Sequence, residues 1–346
     1  MRILMFGPNH ETKGGIATVI ANFKGHFHST TNTVFYLESW KEGNVFQRVF
    51  YSARGLLLLP FQVKRKKIKL VHLHIAQDGS YFRKALATRL AKLCGAKVLL
   101  HVHGSHFDQY HKESMPRLQK HILRTLRKAD KIIVLNEDVR TYFANYDIEM
   151  DIVSNAVPIL ETAPMSDERT QISCFGQLGE RKGTYDLLRI AKVLYARHPE
   201  VMIYLYGDGD LKEVQELVIQ QELKNIRIGG WITADEKALA MRKTMIHVLP
   251  SYQEGLPMSV LETMAYGIPN VSTYVGGIPD VIESGKDGLL INPGEEDALA
   301  EALISLIEQE TIRKKMGTAA AAKIKTHFSM PAYIHKWNQI YTEWDK

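Results

Sequence analysis

One pattern occurs twice along this chain, and it constrains the fold more than any single residue does. Short apolar runs alternate with segments whose apolar residues recur at helical spacing. In the first half the strand-like runs are Ile3–Phe6, Val34–Leu37, Leu70–Ile75, Val98–His103, Ile132–Leu135 and Ile152–Val157. Helical patterns such as Ile16–Phe27 and Tyr81–Leu93 lie between them. The pattern restarts with Ile172–Phe175, Met202–Tyr206, Ile226–Ile228, Met245–Leu249, Val271–Tyr274 and Leu289–Ile291. Alternation of this kind predicts a parallel sheet covered by helices on both faces. Two rounds predict two doubly wound domains, as does a length of 346 residues, too great for one ordinary core. The polar stretch Glu161–Thr170, with Pro164 and no periodicity, is the expected linker. Met330–Trp344 carries apolar and aromatic residues at Tyr333, Ile334, Trp337, Ile340, Tyr341 and Trp344, and reads as an amphipathic helix packed on the body.

Charge divides the chain in the same place. Residues 1–160 hold 24 Lys and Arg against 12 Asp and Glu, whereas the remainder holds 20 against 26. Two different classes of partner are implied. Lys64, Arg65, Lys66 and Lys67 follow a mixed apolar and basic segment, Val45–Val63. Arg83, Lys84, Arg117, Lys120, Arg124, Arg127 and Lys128 add to the basic first half. These residues are either solvated helix faces or a surface for anionic lipid. No motif for nucleic acid accompanies them. The longest aliphatic run is Leu56–Leu59, far short of a membrane span, and Met1–Pro8 lacks the apolar length of a signal peptide. Cys94 and Cys174 stand far apart and belong to no Cys-x-x-Cys pair. A cytoplasmic protein with reduced thiols is the expectation.

Ser251–Pro269 (SYQEGLPMSVLETMAYGIP) follows a buried strand pattern and enters a helical one, with Pro257 suited to the first helical turn. A helix start offers unpaired N–H groups and partial positive charge, a site for phosphate. Glu254 before it and Glu262 within it make a poor site for a bare anion. They suit a ligand with hydroxyls on both sides of a phosphate, such as a nucleotide-sugar. GQLGERKG (Gly176–Gly183) also lies between a strand and a helix, with Arg181 and Lys182 placed for a diphosphate or simply solvated. Gly14–Gly15 is an anion-binding loop or a plain tight turn. The pairs His72/His74 and His101/His103 share strand faces. No Asp, Glu or Cys with ligand spacing joins them, so core or cleft-lining histidines are expected rather than a metal site. His103 differs in standing beside Gly104 at a strand end. Asp208-Gly209-Asp210 reads as a turn rather than a metal-holding pair.

These residues resemble the family 4 glycosyltransferases, retaining enzymes of the GT-B fold, of the kind found in bacterial polysaccharide biosynthesis. The resemblance rests on Gly14–Gly15, HVHG ending at Gly104, SNAVP (Ser154–Pro158), FGQLGERKG, YGDG (Tyr206–Gly209), the Glu254/Glu262 stretch and GGIPD (Gly276–Asp280). It implies two Rossmann-like domains facing a cleft. Residues 1–160 would lie on the acceptor side, 161–328 would bind the nucleotide-sugar, and a helix in 329–346 would cross back to the first domain. It implies that Glu262 binds ribose hydroxyls, that Glu254 with Gly255, Leu256, Pro257 and Met258 holds the donor sugar, and that Lys182 contacts the diphosphate. Gly15 would approach the phosphates or acceptor, and His103 would lie near the reacting centre. Gln177 stands where the family's GRLxxxKG carries Arg, which leaves Arg181 as the second cation; Asp280 replaces a usual Glu. The expected activity is transfer of a hexose-type sugar from a UDP-sugar, or else a GDP-sugar, to a lipid-linked or polysaccharide acceptor. It would need no metal or cofactor and would take place at the inner face of the cell membrane. A nucleotide-sugar epimerase of the same fold and a non-catalytic nucleotide-sugar-binding scaffold are the alternatives.

Overall fold

The computed structural model describes residues 1–104, 106–159 and 169–344. It divides into two units, Met1–Ala156 with Met330–Lys346, and Val157–Ser329. Most of the expected linker, and the boundary expected at 160/161, lie outside the described residues.

The first unit runs β1 (Arg2–Pro8), α1 (Gly15–His26), β2 (Thr33–Trp40), α2 (Val45–Arg65), β3 (Leu70–Ile75), α3 (Asp78–Leu93), β4 (Lys97–Val102), α4 (Phe107–Glu113), α5 (Pro116–Leu126), β5 (Lys131–Val134), α6 (Glu137–Ala144) and β6 (Asp151–Ile152). The strands form one parallel sheet in the order β2-β1-β3-β4-β5-β6. It is buried on both faces, as the alternation along β1 shows. Leu4 and Phe6 join a core with Leu59, Val71, Leu73 and Tyr81, while Ile3 and Met5 join another with Ile20, Phe23, Leu70 and Leu99. β6 is shorter than the expected Ile152–Val157 run. Val153 still donates to Val134, but Val157 instead pairs with Ser329 in the second unit. The apolar run therefore ends in an isolated bridge outside both sheets, with Val157 fully buried beside Ser329.

The second unit runs β7 (Gln171–Phe175), a 3-10 turn at Glu180–Lys182, α7 (Thr184–Arg197), β8 (Met202–Tyr206), α8 (Leu211–Gln220), β9 (Ile226–Gly230), α9 (Ala234–Lys243), β10 (Thr244–Leu249), α10 (Met258–Ala265), β11 (Asn270–Thr273), β12 (Gly288–Ile291), α11 (Glu296–Glu308) and α12 (Glu310–His327). Its sheet is also parallel, in the order β12-β11-β10-β7-β8-β9. All residues of β7 and β10 are buried.

The chain then returns to the first unit. α13 (Met330–Thr342) places Met330, Tyr333, Ile334, Trp337, Ile340 and Tyr341 in the core that holds Ile3 and Phe23. The Phe23 ring meets Tyr333, Trp337 and Tyr341 edge-on at centroid distances of 6.4, 6.4 and 6.5 Å. That geometry suits the ring quadrupoles. Full burial of Trp337 removes on the order of 200 Å² from water, worth about 5 kcal/mol before entropy is counted.

In an open parallel sheet, ligands collect beyond the carboxyl ends of the strands where the order reverses. The reversals here lie between β1 and β3 in the first unit and between β7 and β10 in the second. The segments after β1, β7 and β10 contain Gly14–Gly15, Gly176–Gly183 and Ser251–Pro257, and the one after β3 is Ala76–Gln77.

Candidate active site

In the second unit two loops close on each other. Gly183 has φ 67, and a Cβ there would stand 2.1 Å from the Pro250 carbonyl oxygen, so glycine lets the 3-10 turn press onto the end of β10. Tyr252 donates its N–H to the Arg181 carbonyl at 2.9 Å, and the exposed Arg181 guanidinium donates to the Gln253 carbonyl at 3.1 Å. The clamp brings Lys182 to Glu254: its Nζ donates to Glu254 Oε1, which also accepts from Ser251 Oγ at 2.7 Å. Both charged groups are largely withdrawn from solvent, with side-chain exposures of 11% and 5%. The GGIPD segment backs this loop. Gly277 donates to the Gly255 carbonyl at 2.6 Å, and a Cβ on Gly276, where φ is 53, would lie 1.8 Å from the Glu254 carbonyl oxygen. Any other residue at 276 would push Glu254 out of place.

Leu256, Pro257 and Met258 are buried. Pro257 is the N-cap of α10 and not its first helical residue, because its ψ of 126 is extended; its carbonyl accepts from Val260 at 3.2 Å. The cap has no side-chain hydrogen bond and no acidic residue follows in the first turn. The N–H groups of Met258 and Ser259 form no hydrogen bond among the described residues. The start of α10 is therefore an open anion-accepting end. One turn on, Glu262 pairs with Lys237 of α9, whose Nζ lies 5.6 Å from the centroid of the Phe175 ring. Lys237 gives no signal in the sequence, since its partner lies 25 residues away. Gln177 is exposed, and Asp208-Gly209-Asp210 is a turn that holds the facing loop: Leu178 donates to Asp208 and accepts from Asp210.

In the first unit Gly15 opens α1 and is exposed; Gly14 is the N-cap at φ 123, and a Cβ at either position would meet nothing within 4 Å. No side chain caps this helix and no acidic residue lies in its first turn. His103 follows β4 and donates its backbone N–H to Ile75 at 2.8 Å. Its ring belongs to a ladder of four histidines on one face of β3 and β4. His74 Nδ1 lies 2.8 Å from His103 Nε2, His72 Nε2 lies 3.3 Å from His101 Nδ1, and His72 Nδ1 lies 2.7 Å from the Tyr341 hydroxyl. Trp337 stacks on His72 at 4.7 Å. Burial lowers all four basicities, with His72 and His103 each pushed down to about 3; the second cause is His103 for His72 and Lys84 for His103. His72, His74 and His101 bring ligand nitrogens within 4.8 Å of one another. His72, however, uses both its nitrogens in hydrogen bonds, and among the described residues no carboxylate or thiol completes the set.

The basic surface differs from expectation at one residue. Lys84 is 1% exposed and lies under Phe6, donating to Ser39 Oγ at 2.7 Å; burial, and then Arg83, push it down to about 7. It belongs to the interior and contributes nothing to a surface patch. Lys64, Arg65 and Lys67 are exposed where α2 ends, and Lys66 lies 4.2 Å over the Phe35 ring. The mixed segment before them is the helix α2. It buries Gly55, Leu59 and Val63 on one side, yet leaves Phe46, Phe50, Leu57 and Phe61 at 86%, 61%, 78% and 53% exposure. At 100° per residue those four lie within about 60° of one another, a single apolar stripe in solvent.

Two family models match the chain: "Glycosyltransferase Family 4" over residues 14–159 and "Glycosyl transferases group 1" over residues 169–309. An uncharacterized glycosyltransferase of Methanocaldococcus jannaschii is 37% identical over 114 residues, which is 33% of this chain and 32% of that protein. An uncharacterized 41.2 kDa protein in the cps region of Klebsiella pneumoniae is 24% identical over 95% of this chain and 96% of its own length. The UDP-Gal:alpha-D-GlcNAc-diphosphoundecaprenol alpha-1,3-galactosyltransferase of Escherichia coli is 22% identical over 84% of this chain and 79% of its own. Among solved structures, Anabaena HepE in complex with UDP-glucose superposes with a TM-score of 0.78 at 16% identity, over 99% of this chain and 100% of that one. The lipopolysaccharide outer core galactosyltransferase WaaB in its apo form gives 0.70 at 21% identity, again over 99% and 100%.

Proposed function

The chain belongs to the family 4 glycosyltransferases and has the GT-B fold, and from that premise we propose a retaining transferase acting in surface-glycan synthesis. It moves a hexose-type sugar from a nucleotide-sugar, UDP-linked in the favoured case, to a lipid-linked or polysaccharide acceptor. The observation that carries this reading is the pairing of Glu254 with Lys182 beside the uncapped start of α10, one helical turn before Glu262. The group has a cation and free N–H donors for a diphosphate, flanked by one carboxylate on each side for hydroxyls.

In this reading Glu262 accepts hydrogen bonds from the ribose, and Glu254 with the Gly255–Met258 backbone holds the donor sugar. The bond from the anomeric carbon to the diphosphate oxygen breaks, and the leaving oxygens gain negative charge. Lys182, Arg181 and the N–H groups of Met258 and Ser259 stabilise that charge in place of a metal. The acceptor hydroxyl attacks the same face, and its proton passes to a leaving phosphate oxygen, so configuration is retained. Gly15 and His103 of the first unit serve the phosphates and the reacting sugar. The UDP preference draws support from the Escherichia coli relative, named for a UDP-sugar donor and a diphosphoundecaprenol acceptor, and from the UDP-glucose bound to HepE.

Among the described residues no helix is long and apolar enough to cross a membrane. We place the acceptor side at a bilayer surface instead. The stripe Phe46, Phe50, Leu57 and Phe61 would enter the headgroup region, while Arg54, Lys64 and Arg65, which flank it on the same helix, face anionic lipid. α2 contains no Asp or Glu to oppose it.

A thermal-shift screen against UDP- and GDP-sugars, followed by transfer of labelled sugar to a lipid-linked acceptor, tests the reading. Stabilisation by a UDP-sugar and labelled acceptor are expected. A donor converted without an acceptor would instead identify an epimerase, and binding without turnover a scaffold.

A further inference from the structure

His74 is 2% exposed, and its Nε2 has no hydrogen-bond partner among the described residues. Its Nδ1 faces His103 Nε2 at 2.8 Å. Two neutral imidazoles in such a contact hold one shared proton, and the unpartnered nitrogen decides which ring donates. If His103 donated, the proton of His74 would sit on Nε2, an N–H buried with no acceptor. If His74 donates, Nε2 keeps only a bare lone pair. Orphaned buried N–H groups are the rarer and costlier of the two. His101 repeats the pattern: its Nε2 is unpartnered and its Nδ1 meets His72 Nε2. Donation from His101 leaves His72 to donate from Nδ1 to the Tyr341 oxygen, so the assignment carries along the ladder as far as that hydroxyl, whose own proton finds no acceptor among the described residues.

We propose that His74 is a positioning residue that donates Nδ1–H to His103 Nε2 and thereby fixes His103 with its proton on Nδ1. That nitrogen makes no hydrogen bond among the described residues, and the residue is half-buried. His103 is then a hydrogen-bond donor to an oxygen lone pair and not a general base. The oxygen belongs to a sugar hydroxyl or a phosphate of the donor. Lys84 supports the neutral state, because a second positive charge beside this buried lysine is disfavoured. The functional half of the inference rests on the reading of His103 as facing substrate.

Nitrogen-15 NMR of the histidines in the full chain tests it. The parent should show His103 as a single tautomer protonated at Nδ1; protonation at Nε2 would overturn the proposal. His74→Asn keeps an N–H near the Nδ1 position and should preserve that signal. His74→Phe should mix the tautomers and lower kcat roughly ten- to a hundredfold with little change in KM, and equal kcat in the Phe and Asn variants would remove the positioning role. A shift of His103 Nδ1 on adding UDP alone identifies phosphate as the acceptor, and a shift seen only with UDP-glucose identifies the sugar. No shift with either overturns the donor role. Full activity in His103→Ala, with the parent tautomer as stated, would sink the substrate-facing reading and leave the tautomer assignment standing.

Discussion

Lys182 answers two requirements in the second unit. Without ligand its ammonium neutralises Glu254 in a site with little water, and with donor bound it would face the diphosphate. Removing one member of such a pair leaves the other charge buried alone. Lys182→Ala is therefore expected to destabilise the second unit by roughly 3 kcal/mol as well as weaken nucleotide binding. Denaturant unfolding of the ligand-free protein reads the first effect and calorimetry with UDP the second. A variant as stable as the parent would mean that Glu254 is better solvated than its surroundings indicate. Glu262 makes a cleaner test of the nucleotide alone, since it and Lys237 are more exposed. Its loss should raise the Kd for UDP about tenfold or more, the scale of a hydrogen bond to a charged group. An unchanged affinity would end the ribose assignment. Both carboxylates were visible in the sequence because their spacing around a helix start is local. Their lysine partners differ. Lys182 lies in a glycine-rich loop that marks itself, whereas Lys237 reaches Glu262 only through the folding of α9 against β7 and α10.

At the level of elements, α2 carries the sharpest test. Its outer residues touch no core, so Phe46→Ser with Phe50→Ser should change stability by no more than about 0.5 kcal/mol. The same pair should sharply reduce co-sedimentation with anionic vesicles, as should Lys64→Glu with Arg65→Glu; high salt should mimic the second pair and not the first. Equal vesicle binding by all variants would remove the membrane surface. Periodicity made the strands legible, since a parallel sheet buried on both faces needs short runs of unbroken apolar residues. The twelve expected strands match β1–β12 closely, apart from the early end of β6. The same logic blurred α2. A helix with apolar residues on its exposed side as well as its buried side has no single stripe that marks the core face, and it reads as a mixed segment. Lys84 reads as surface charge for a related reason: a lone lysine in a basic half carries no mark of burial.

For the whole molecule the histidine ladder makes acidity a structural variable. His72, His74, His101 and His103 are neutral in the folded first unit, with folded basicity well below that of a free histidine near 6.5. Below pH 6.5 the unfolded chain binds protons that the folded unit refuses. Stability therefore rises with pH across that range and is lost on acidification, by up to about 1.4 kcal/mol per pH unit for each histidine, down to about pH 3. Among the described residues of the second unit one is comparable, His247, pushed down to about 4 by burial. Calorimetry at falling pH should show the first unit melting first, and a first unit of constant stability down to pH 4 would contradict the ladder. A separate consequence follows from α13. The first unit is discontinuous in sequence, and the wall that carries Tyr333, Trp337 and Tyr341 is translated after the whole of the second. During synthesis the sheet of the second unit, β7 to β12, can therefore form while the first still exposes Ile3, Met5, Ile20 and Phe23. The half made earliest is the half that finishes last, and in that interval it is the natural client for a chaperone.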